Sequence, residues 1–331
     1  MFFSRLWRPP PDTPVAPGQP GRYGTAGDFT APAGQKIDAD RPHGYYVDLR
    51  SKAESTEVPP PWWRGARTHV VRTQWGLGCY EHYLHGEGDE WLDAAIWLAD
   101  WLIESQETTG TLCGGWTHDR SPRHSYRLPA PWLSGMAQGQ AASLLVRVHD
   151  STGDERYAEA ARAGLLPMGK PAAAGGVAAE LGGGRIPEEY PTDPPSHVLN
   201  GALFGLWGLH DVHLALGDEH AGELATEGLE AMAAALPLYD SGSWSRYDLY
   251  PHPVTNCASP MYHRLHIDQL RATAILSGDQ RFDATAERFA RYAASRASLV
   301  RAYGHKVLFR LVVPRNRHLA RRLPWAPDRS S

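Results

Sequence analysis

The sequence predicts an all-α protein, an incomplete (α/α)4 toroid of four helical hairpins with long active-site loops at one end and a short irregular N-terminal arm. Two observations point to this fold. Apolar residues recur at helical spacing along most of the chain, and a Gly-Asp pair interrupts them four times, 61 to 65 residues apart. Glycine can end one helix in a left-handed conformation, and aspartate can cap the next. The pairs are Gly88-Asp89, Gly153-Asp154, Gly217-Asp218 and Gly278-Asp279.

Each Gly-Asp pair is expected to join the two helices of one hairpin. Residues 91–102 and 282–293 carry the clearest apolar stripes at helical spacing, and the repeat predicts eight main helices. The connections between hairpins are long, at residues 107–131, 167–196 and 237–261. In an alternating toroid these three loops lie together, opposite the Gly-Asp turns. We expect the site there, because long loops on a rigid scaffold commonly carry function.

The two flanks of this helical region differ from it. The first 40 residues are rich in Pro, Gly, Thr and Asp and show no helical period, while residues 44–49 could form one short strand. We therefore divide the chain into an extended N-terminal arm (1–62), an α/α toroid catalytic domain (63–298) and a basic C-terminal tail (299–331).

Length and composition exclude several classes of protein. The 331 residues are 42% hydrophobic and 21% charged, as in a soluble globular protein with a sizeable core. No window approaches the roughly 20 apolar residues that span a bilayer, and the first ten residues lack a secretory h-region. Cys79, Cys113 and Cys257 are scattered, without disulfide or zinc-ligand spacing. We expect a cytoplasmic protein with no metal and no cofactor.

Charge is distributed unevenly along the chain. The net charge is -4, but residues 289–327 contain nine Arg or Lys and no acid. Such a tail favours an anionic contact: a polyanionic glycan, lipid headgroups or a partner subunit. Residues 299–313 mix apolar and basic residues, which would suit peripheral contact with an anionic membrane. Packing on the helical body, a homodimer and a merely solvated chain end stay open, and nucleic acid is not expected.

Aromatic and charged residues are concentrated in the three long loops. The chain has twelve Trp and fourteen Tyr, and aromatic faces stack on sugar rings. The polar and aromatic segments are 114–127, 185–191, 239–248 and, just after the third loop, 262–266. A cleft lined by Tyr, Trp, Arg and acidic groups fits a charged carbohydrate.

Four segments within residues 67–295 carry a resemblance to a known family. They read WLSGMAQGQ at 132–140, EEYPT at 188–192 with VLNG at 198–201, LPLYDSGS at 236–243 with YDL at 247–249, and YHRLHIDQL at 262–270. In this order and spacing they resemble the C-terminal helical domain of the D-glucuronyl C5-epimerases, which convert glucuronate to iduronate within heparosan-type polysaccharides. The family fold, a helical toroid of four hairpins, agrees with the repeat.

The sequence departs from the family pattern in two places. Animal members carry a β-sandwich domain before the helices, whereas we expect only an irregular arm in residues 1–62 of this sequence. They also have Arg shortly after the Tyr-Asp-Leu segment, where this chain has Tyr250-Pro251-His252. The resemblance therefore implies the reaction class more strongly than the exact substrate.

The resemblance also implies the catalytic residues. Epimerisation at C5 removes a proton α to a carboxylate and returns one to the opposite ring face, so it needs an opposed acid/base pair and charge stabilisation. The family's functional residues map onto Glu189, Tyr190, Tyr247 and Tyr262. Glu189 and Tyr262 are the expected acid/base pair, and Tyr190 and Tyr247 would hold the carboxylate or assist proton transfer.

Further polar and aromatic residues are candidates for binding substrate. Arg offers a planar, bidentate fork for uronate carboxylates or sulfates, and the other side chains can stack or hydrogen-bond. The candidates are Trp116, Arg127, Gln138, Arg185, Asn200, Arg246, His263, Arg264 and His266. The catalytic and binding candidates also have structural alternatives: tyrosines that only stack, an ion pair between Glu189 and Arg185, a capping role for Asn200, and surface charge for any of the arginines. Metal ligation by His263 and His266 is an alternative to their expected hydrogen-bonding roles.

Three other functions remain compatible with the sequence. A polysaccharide lyase would form the same C5 carbanion but expel the 4-O-linked sugar. A glycoside hydrolase on an α/α toroid would need two opposed carboxylates, for which Asp119, Glu189 and Asp248 are available. A non-catalytic glycan-binding module would bind the polymer without exchanging the C5 proton.

Overall fold

A computed structural model describes residues 30–31, 35–36, 44–66, 68–122, 125–126 and 128–313. These residues are mostly helical, which confirms the all-α class. The helices are α1 (His69–Leu84), α2 (Asp89–Ser105), α3 (Gly135–Thr152), α4 (Glu155–Gly164), α5 (Leu199–Leu216), α6 (Glu219–Ala235), α7 (Pro260–Ser277), α8 (Gln280–Ala294) and α9 (Arg296–Val312). Two short antiparallel hairpins pair β1 (Thr30–Ala31) with β2 (Gln35–Lys36), and β3 (Ala178–Leu181) with β4 (Gly184–Pro187).

The Gly-Asp pairs join α1 to α2, α3 to α4, α5 to α6 and α7 to α8, as predicted. In the last three turns the glycine ends the first helix in the left-handed region, with φ of 62° to 71°. The aspartate side chain then accepts a backbone N–H of the next helix. The first turn differs, because Gly88 precedes α2 and Asp89 is already its first residue.

The odd-numbered helices pack side by side. Helix α1 contacts α3, α3 contacts α5 and α5 contacts α7, while each even-numbered helix packs against its hairpin partner. Helices α3 and α5 are buried along almost their whole length. The core therefore lies between the two sets of helices, and burial of its apolar side chains is the main stabilising contribution.

Residues 44–53 pack into this helical body. They form no strand, contrary to the expectation for residues 44–49. Tyr45 and Tyr46 are 2% exposed, and the Tyr46 hydroxyl donates to Asp211 of α5. Asp211 also forms a fully buried ion pair with Arg147 of α3, at 2.6 Å. The C-terminal ends of α3 and α5 thus converge on this segment, on the side of the Gly-Asp turns.

The chain continues as a ninth helix beyond the fourth predicted hairpin. Helix α9 packs against α8 and buries Ala302 and Phe309, so part of the expected tail is a docked helix. The rest of that tail lies outside the described residues. None of the helices in the described ranges is long and apolar enough to cross a bilayer.

Candidate active site

The three long loops meet at the ends of α3, α5 and α7 opposite the Gly-Asp turns. Trp132 of the first loop lies 5.7 Å from the ring of Tyr190 in the second. The backbone N–H of Leu249 in the third loop donates to Ser196 in the second, at 3.1 Å. The N–H of Leu199 donates to Tyr247, at 3.2 Å. These contacts bring parts of the three long loops together.

A small hairpin in the second loop positions two adjacent glutamates. Strands β3 and β4 pair in register from Ala178 with Pro187 to Leu181 with Gly184, and β4 packs on α6 and α5. The chain leaves β4 at Glu188, whose N–H donates to Val177 and whose carbonyl accepts from the N–H of Gly135, both at 2.7 Å. The backbone of Glu188 is therefore tied to the start of α3.

The Glu188 carboxylate is fully engaged in holding the second loop. It accepts hydrogen bonds from the N–H and hydroxyl of Ser196, at 2.9 and 2.6 Å, and from the N–H of His197, at 2.9 Å. It also lies 2.7 Å from the His197 imidazole. Because its oxygens are occupied in this way, Glu188 acts as a structural residue.

Glu189 lies in a very different environment. It is buried, and its Oε2 has no hydrogen-bond partner among the described residues. Burial raises the pKa of the Glu189 carboxyl to about 7; a hydrogen bond from Tyr190 opposes the rise, and the nearby Glu188 charge adds to it. The start of α5 packs directly on it, because a Cβ on Gly201 would stand 2.4 Å from the Glu189 Cβ.

Tyr126 and Tyr247 lie close enough to this carboxylate to respond to its charge, and Tyr262 packs on Tyr247. Tyr126 lies 5.1 Å from Tyr190 between ring centroids, and Tyr247 meets Tyr262 edge to face at 5.0 Å. Burial raises the pKa of Tyr247, and the Glu189 charge adds to the rise. Tyr262 is half-buried in the first turn of α7, where the helix dipole favours negative charge. The four predicted catalytic residues are thus brought together, although their roles stay predictions.

Asp248 is the centre of a second network beside these tyrosines. It is buried and accepts from the Tyr126 hydroxyl and from the Asn256 amide. Asn256 in turn accepts from the ammonium of Lys306 on α9, at 2.9 Å. His252 lies 3.5 Å from the Asp248 carboxylate. Tyr126, Asn256 and Lys306 were not among the predicted site residues, because only contacts between distant parts of the chain bring them to the site.

The two candidate histidines of α7, His263 and His266, both hydrogen-bond to Ser245. The Ser245 N–H donates to His263 Nδ1, so this nitrogen carries no proton. The proton is on Nε2, which donates to the Phe289 carbonyl at 3.0 Å. The Ser245 hydroxyl then donates to His263 and accepts from His266 Nδ1, at 2.7 and 2.9 Å. Burial lowers the pKa of His263 to about 4, and that of His266 falls well below its usual value. Both imidazoles are therefore neutral.

Two other candidates are enclosed in the helical body. The Trp116 side chain is fully buried and donates to the Leu102 carbonyl, at 2.8 Å. The Gln138 side-chain amide accepts from the backbone N–H of Trp116 at 2.9 Å and donates to the Gly164 carbonyl at 2.7 Å. These contacts give both side chains a structural role in holding the first loop on α3 and α4.

The remaining candidates are spread around the site. Asn200 is buried at the start of α5, beside Gly201, and its Oδ1 has no partner among the described residues. Arg185 is exposed and forms a bidentate pair with Glu227 of α6, not with Glu189. Arg246 is half-buried, with a hydrogen bond to the Leu238 carbonyl, and Arg264 is exposed. Arg127 lies outside the described residues.

Metal binding finds no support in the part of the chain that the structure describes. No group of three or more His, Cys, Asp or Glu side chains there is arranged to hold an ion. The Nδ1 atoms of His263 and His266 are instead hydrogen-bonded to the Ser245 hydroxyl.

These features define an all-α protein whose long loops enclose a buried carboxylate of raised pKa among tyrosines, an arrangement suited to proton transfer. The chain belongs to the D-glucuronyl C5-epimerase family: the family model described as D-glucuronyl C5-epimerase C-terminus matches residues 109–291. That range contains Glu189, Tyr190, Tyr247 and Tyr262, and the match confirms the family resemblance.

Two relatives show how far the similarity extends. A D-glucuronyl C5-epimerase of Caenorhabditis elegans is 35% identical over 213 residues, which is 59% of this chain and 34% of that protein. An uncharacterized protein of Methanocaldococcus jannaschii is 29% identical over 163 residues, which is 47% of this chain and 50% of that protein. The matched part of the chain thus spans about a third of the length of the first relative and half of the length of the second.

Proposed function

We propose that this protein is a D-glucuronyl C5-epimerase, an isomerase that converts glucuronate to iduronate within a heparosan-type or related glycosaminoglycan. The observation that carries this proposal is the Glu189 carboxyl, buried beside tyrosines with its pKa raised to about 7. A general base works best when its pKa is near the operating pH. Membership of the family supports the reaction class.

The proposed reaction moves two protons and breaks no bond of the polymer backbone. One member of the pair Glu189 and Tyr262 takes the C5 proton, and the electron pair of the broken C–H bond passes into the uronate carboxylate as an enediolate. The other member then donates a proton to C5 on the opposite face. Tyr190 and Tyr247 would hydrogen-bond the carboxylate oxygens, where the negative charge develops.

The helix ends at the site support this assignment. Tyr262 is in the first turn of α7 and Asn200 in the first turn of α5. The positive end of a helix dipole stabilises a carboxylate or a phenolate placed there. We propose that these two N-termini lower the cost of the enediolate and of the Tyr262 phenolate.

We further propose that the four hairpins form an incomplete α/α toroid around this site. The sequential packing of α1, α3, α5 and α7, with α2, α4, α6 and α8 against them, supports inner and outer layers. We propose that the polymer binds at the end of this toroid where the three long loops meet.

The lyase alternative uses the same carbanion and is separated by its products. An epimerase changes the ratio of glucuronate to iduronate and leaves chain length unchanged, whereas a lyase yields shorter chains with an ultraviolet-absorbing unsaturated end. Size-exclusion chromatography of digested heparosan, with uronate composition by NMR, tests the proposal. Shortened chains would contradict it.

The exposed face of α9 supports a second proposal, contact with an anionic membrane surface. Val300, Val307 and Leu311 lie on one side of the helix and are 57%, 56% and 72% exposed. Exposed Arg296, one turn before Val300, flanks this stripe. A helix with such a stripe and a cationic neighbour suits an anionic bilayer, where each Lys or Arg contributes about 1 kcal/mol.

A further inference from the structure

Helix α9 contacts the loops that build the site. The Lys306 ammonium donates to the Asn256 side-chain carbonyl and to the Cys257 backbone carbonyl, both at 2.9 Å. The guanidinium of Arg310 reaches Ser125 of the first loop, at 3.4 Å. The helix is therefore attached to the first and third loops.

The contact with Lys306 fixes the orientation of the Asn256 amide. An amide has one accepting oxygen and one donating nitrogen, and Lys306 can only donate. Its position beside the oxygen turns the amide nitrogen toward Asp248, where Nδ2 donates to Oδ2 at 2.5 Å. With the opposite orientation, the amide oxygen would face the Asp248 carboxylate and repel it.

Asn256 and Asp248 in turn hold two tyrosines of the site, Tyr247 and Tyr126. The Tyr247 N–H donates to the Asn256 carbonyl at 2.7 Å, and the Tyr126 hydroxyl donates to the same Asp248 oxygen as the amide. The Lys306 ammonium also lies 5.8 Å from the centre of the Tyr247 ring. Lys306 is thus connected, through Asn256, to the backbone of Tyr247 and to the hydroxyl of Tyr126.

We propose that Lys306 is a positioning residue of the active site. It locks the Asn256 amide and, through it, the Asp248 carboxylate and the rings of Tyr247 and Tyr126, and this makes α9 part of the catalytic unit. The inference deepens the proposed epimerase function, on which it rests. A small misplacement of a group around the reacting carbon is enough to slow a reaction about a hundredfold.

The test uses the full chain with Lys306→Met, Lys306→Arg and, as a matched control on the same helix, Arg301→Met. Arg301 is exposed. The Met variant is expected to lower kcat about a hundredfold with little change in KM, the loss expected for mispositioned groups. The Arg variant should retain more activity because it keeps a charged donor, and the control should match the wild type. Equal kcat in Lys306→Met and Arg301→Met would overturn the proposal.

A double-mutant cycle with Asn256→Ala separates this proposal from a general loss of stability. Because Lys306 is argued to act through Asn256, the double variant should be scarcely slower than the slower single variant. Additive losses in kcat would contradict the route through Asn256. The same cycle is also measured by thermal unfolding, which reports the coupling between Lys306 and Asn256 whether or not the protein is active. Absence of C5 exchange by the wild type would count against the epimerase function and not against this coupling.

Discussion

Glu188 and Glu189 follow one another in the chain but have opposite roles in the structure. Glu188 accepts three hydrogen bonds from Ser196 and His197 and faces the His197 imidazole. Glu189 is buried with an unpartnered Oε2, and its pKa is raised to about 7. The short hairpin before them and the start of α5 after them hold the pair in this arrangement.

The two glutamates provide a matched pair of substitutions. Glu189→Gln is expected to keep the fold and to lose at least about a hundredfold in rate, the usual contribution of a positioned acid or base. Glu188→Gln should instead destabilise the loop by about 1 to 3 kcal/mol, because buried donors lose their charged acceptor. Turnover and thermal unfolding of both variants check this. A Glu189→Gln variant with normal turnover would remove this residue from the mechanism.

Activity and stability should respond to pH in opposite directions. If Glu189 acts as the base, its ionised form is needed, so turnover should rise as pH passes through about 7. The folded-state pKa is raised, so the stabilising contribution of Glu189 is complete below about pH 4.5 and is lost as pH rises through about 7. A shift of this size corresponds to roughly 3 kcal/mol.

Denaturant unfolding of the wild type and Glu189→Gln across pH measures this effect. The Gln variant should be less stable or equal at pH 4 and more stable than the wild type at pH 8. If the wild type and Glu189→Gln differ in stability by the same amount at both pH values, the pKa of Glu189 is not raised in the folded protein.

Gly201 provides a test of how tightly Glu189 is held. A methyl group there would meet the Cβ and Oε2 of Glu189 at 2.4 and 2.5 Å, so Gly201→Ala should displace the carboxylate and lower kcat about a hundredfold. Gly304→Ala is the control, since nothing lies within 4 Å of a Cβ at that position of α9. Comparable kcat values for the two variants would show that Glu189 placement is not critical.

The membrane proposal makes a separate prediction. Val307→Glu with Leu311→Glu should abolish sedimentation with anionic phospholipid vesicles at low salt and leave turnover of dissolved substrate unchanged. Ile275→Glu is the control, because Ile275 on α7 has the same exposure as Val307, 56%. Unchanged vesicle binding, or a stripe that mediates self-association in sedimentation velocity instead, would contradict the membrane contact.

The helical hairpins could be predicted because their signals are local. A glycine that ends a helix and an aspartate that caps the next are adjacent in sequence, and three of the four pairs act in this way. The first does not, since additional residues separate α1 from α2. Helix α9 was assigned to a tail because its basic residues obscured its buried face, which is marked by Ala302 and Phe309.

The site was only partly predictable, because residue type does not show which polar atoms are already occupied. The family motifs located Glu189, Tyr190, Tyr247 and Tyr262, which the loops bring together. Sequence could not show that Arg185 pairs with Glu227, or that Lys306 reaches across 50 residues to Asn256. Such pairings depend on how distant elements pack, and no local pattern records them.

The most direct measurement of the central claim is exchange at C5 in D2O, followed by NMR of a heparosan-type polysaccharide. The wild type should introduce deuterium at C5 and generate iduronate without shortening the chains. Glu189→Gln and Tyr262→Phe should each lose inversion by at least about a hundredfold, while the remaining partner still exchanges the proton of one epimer. Absence of C5 exchange by the wild type, or normal inversion by either variant, would contradict a two-face mechanism on these residues.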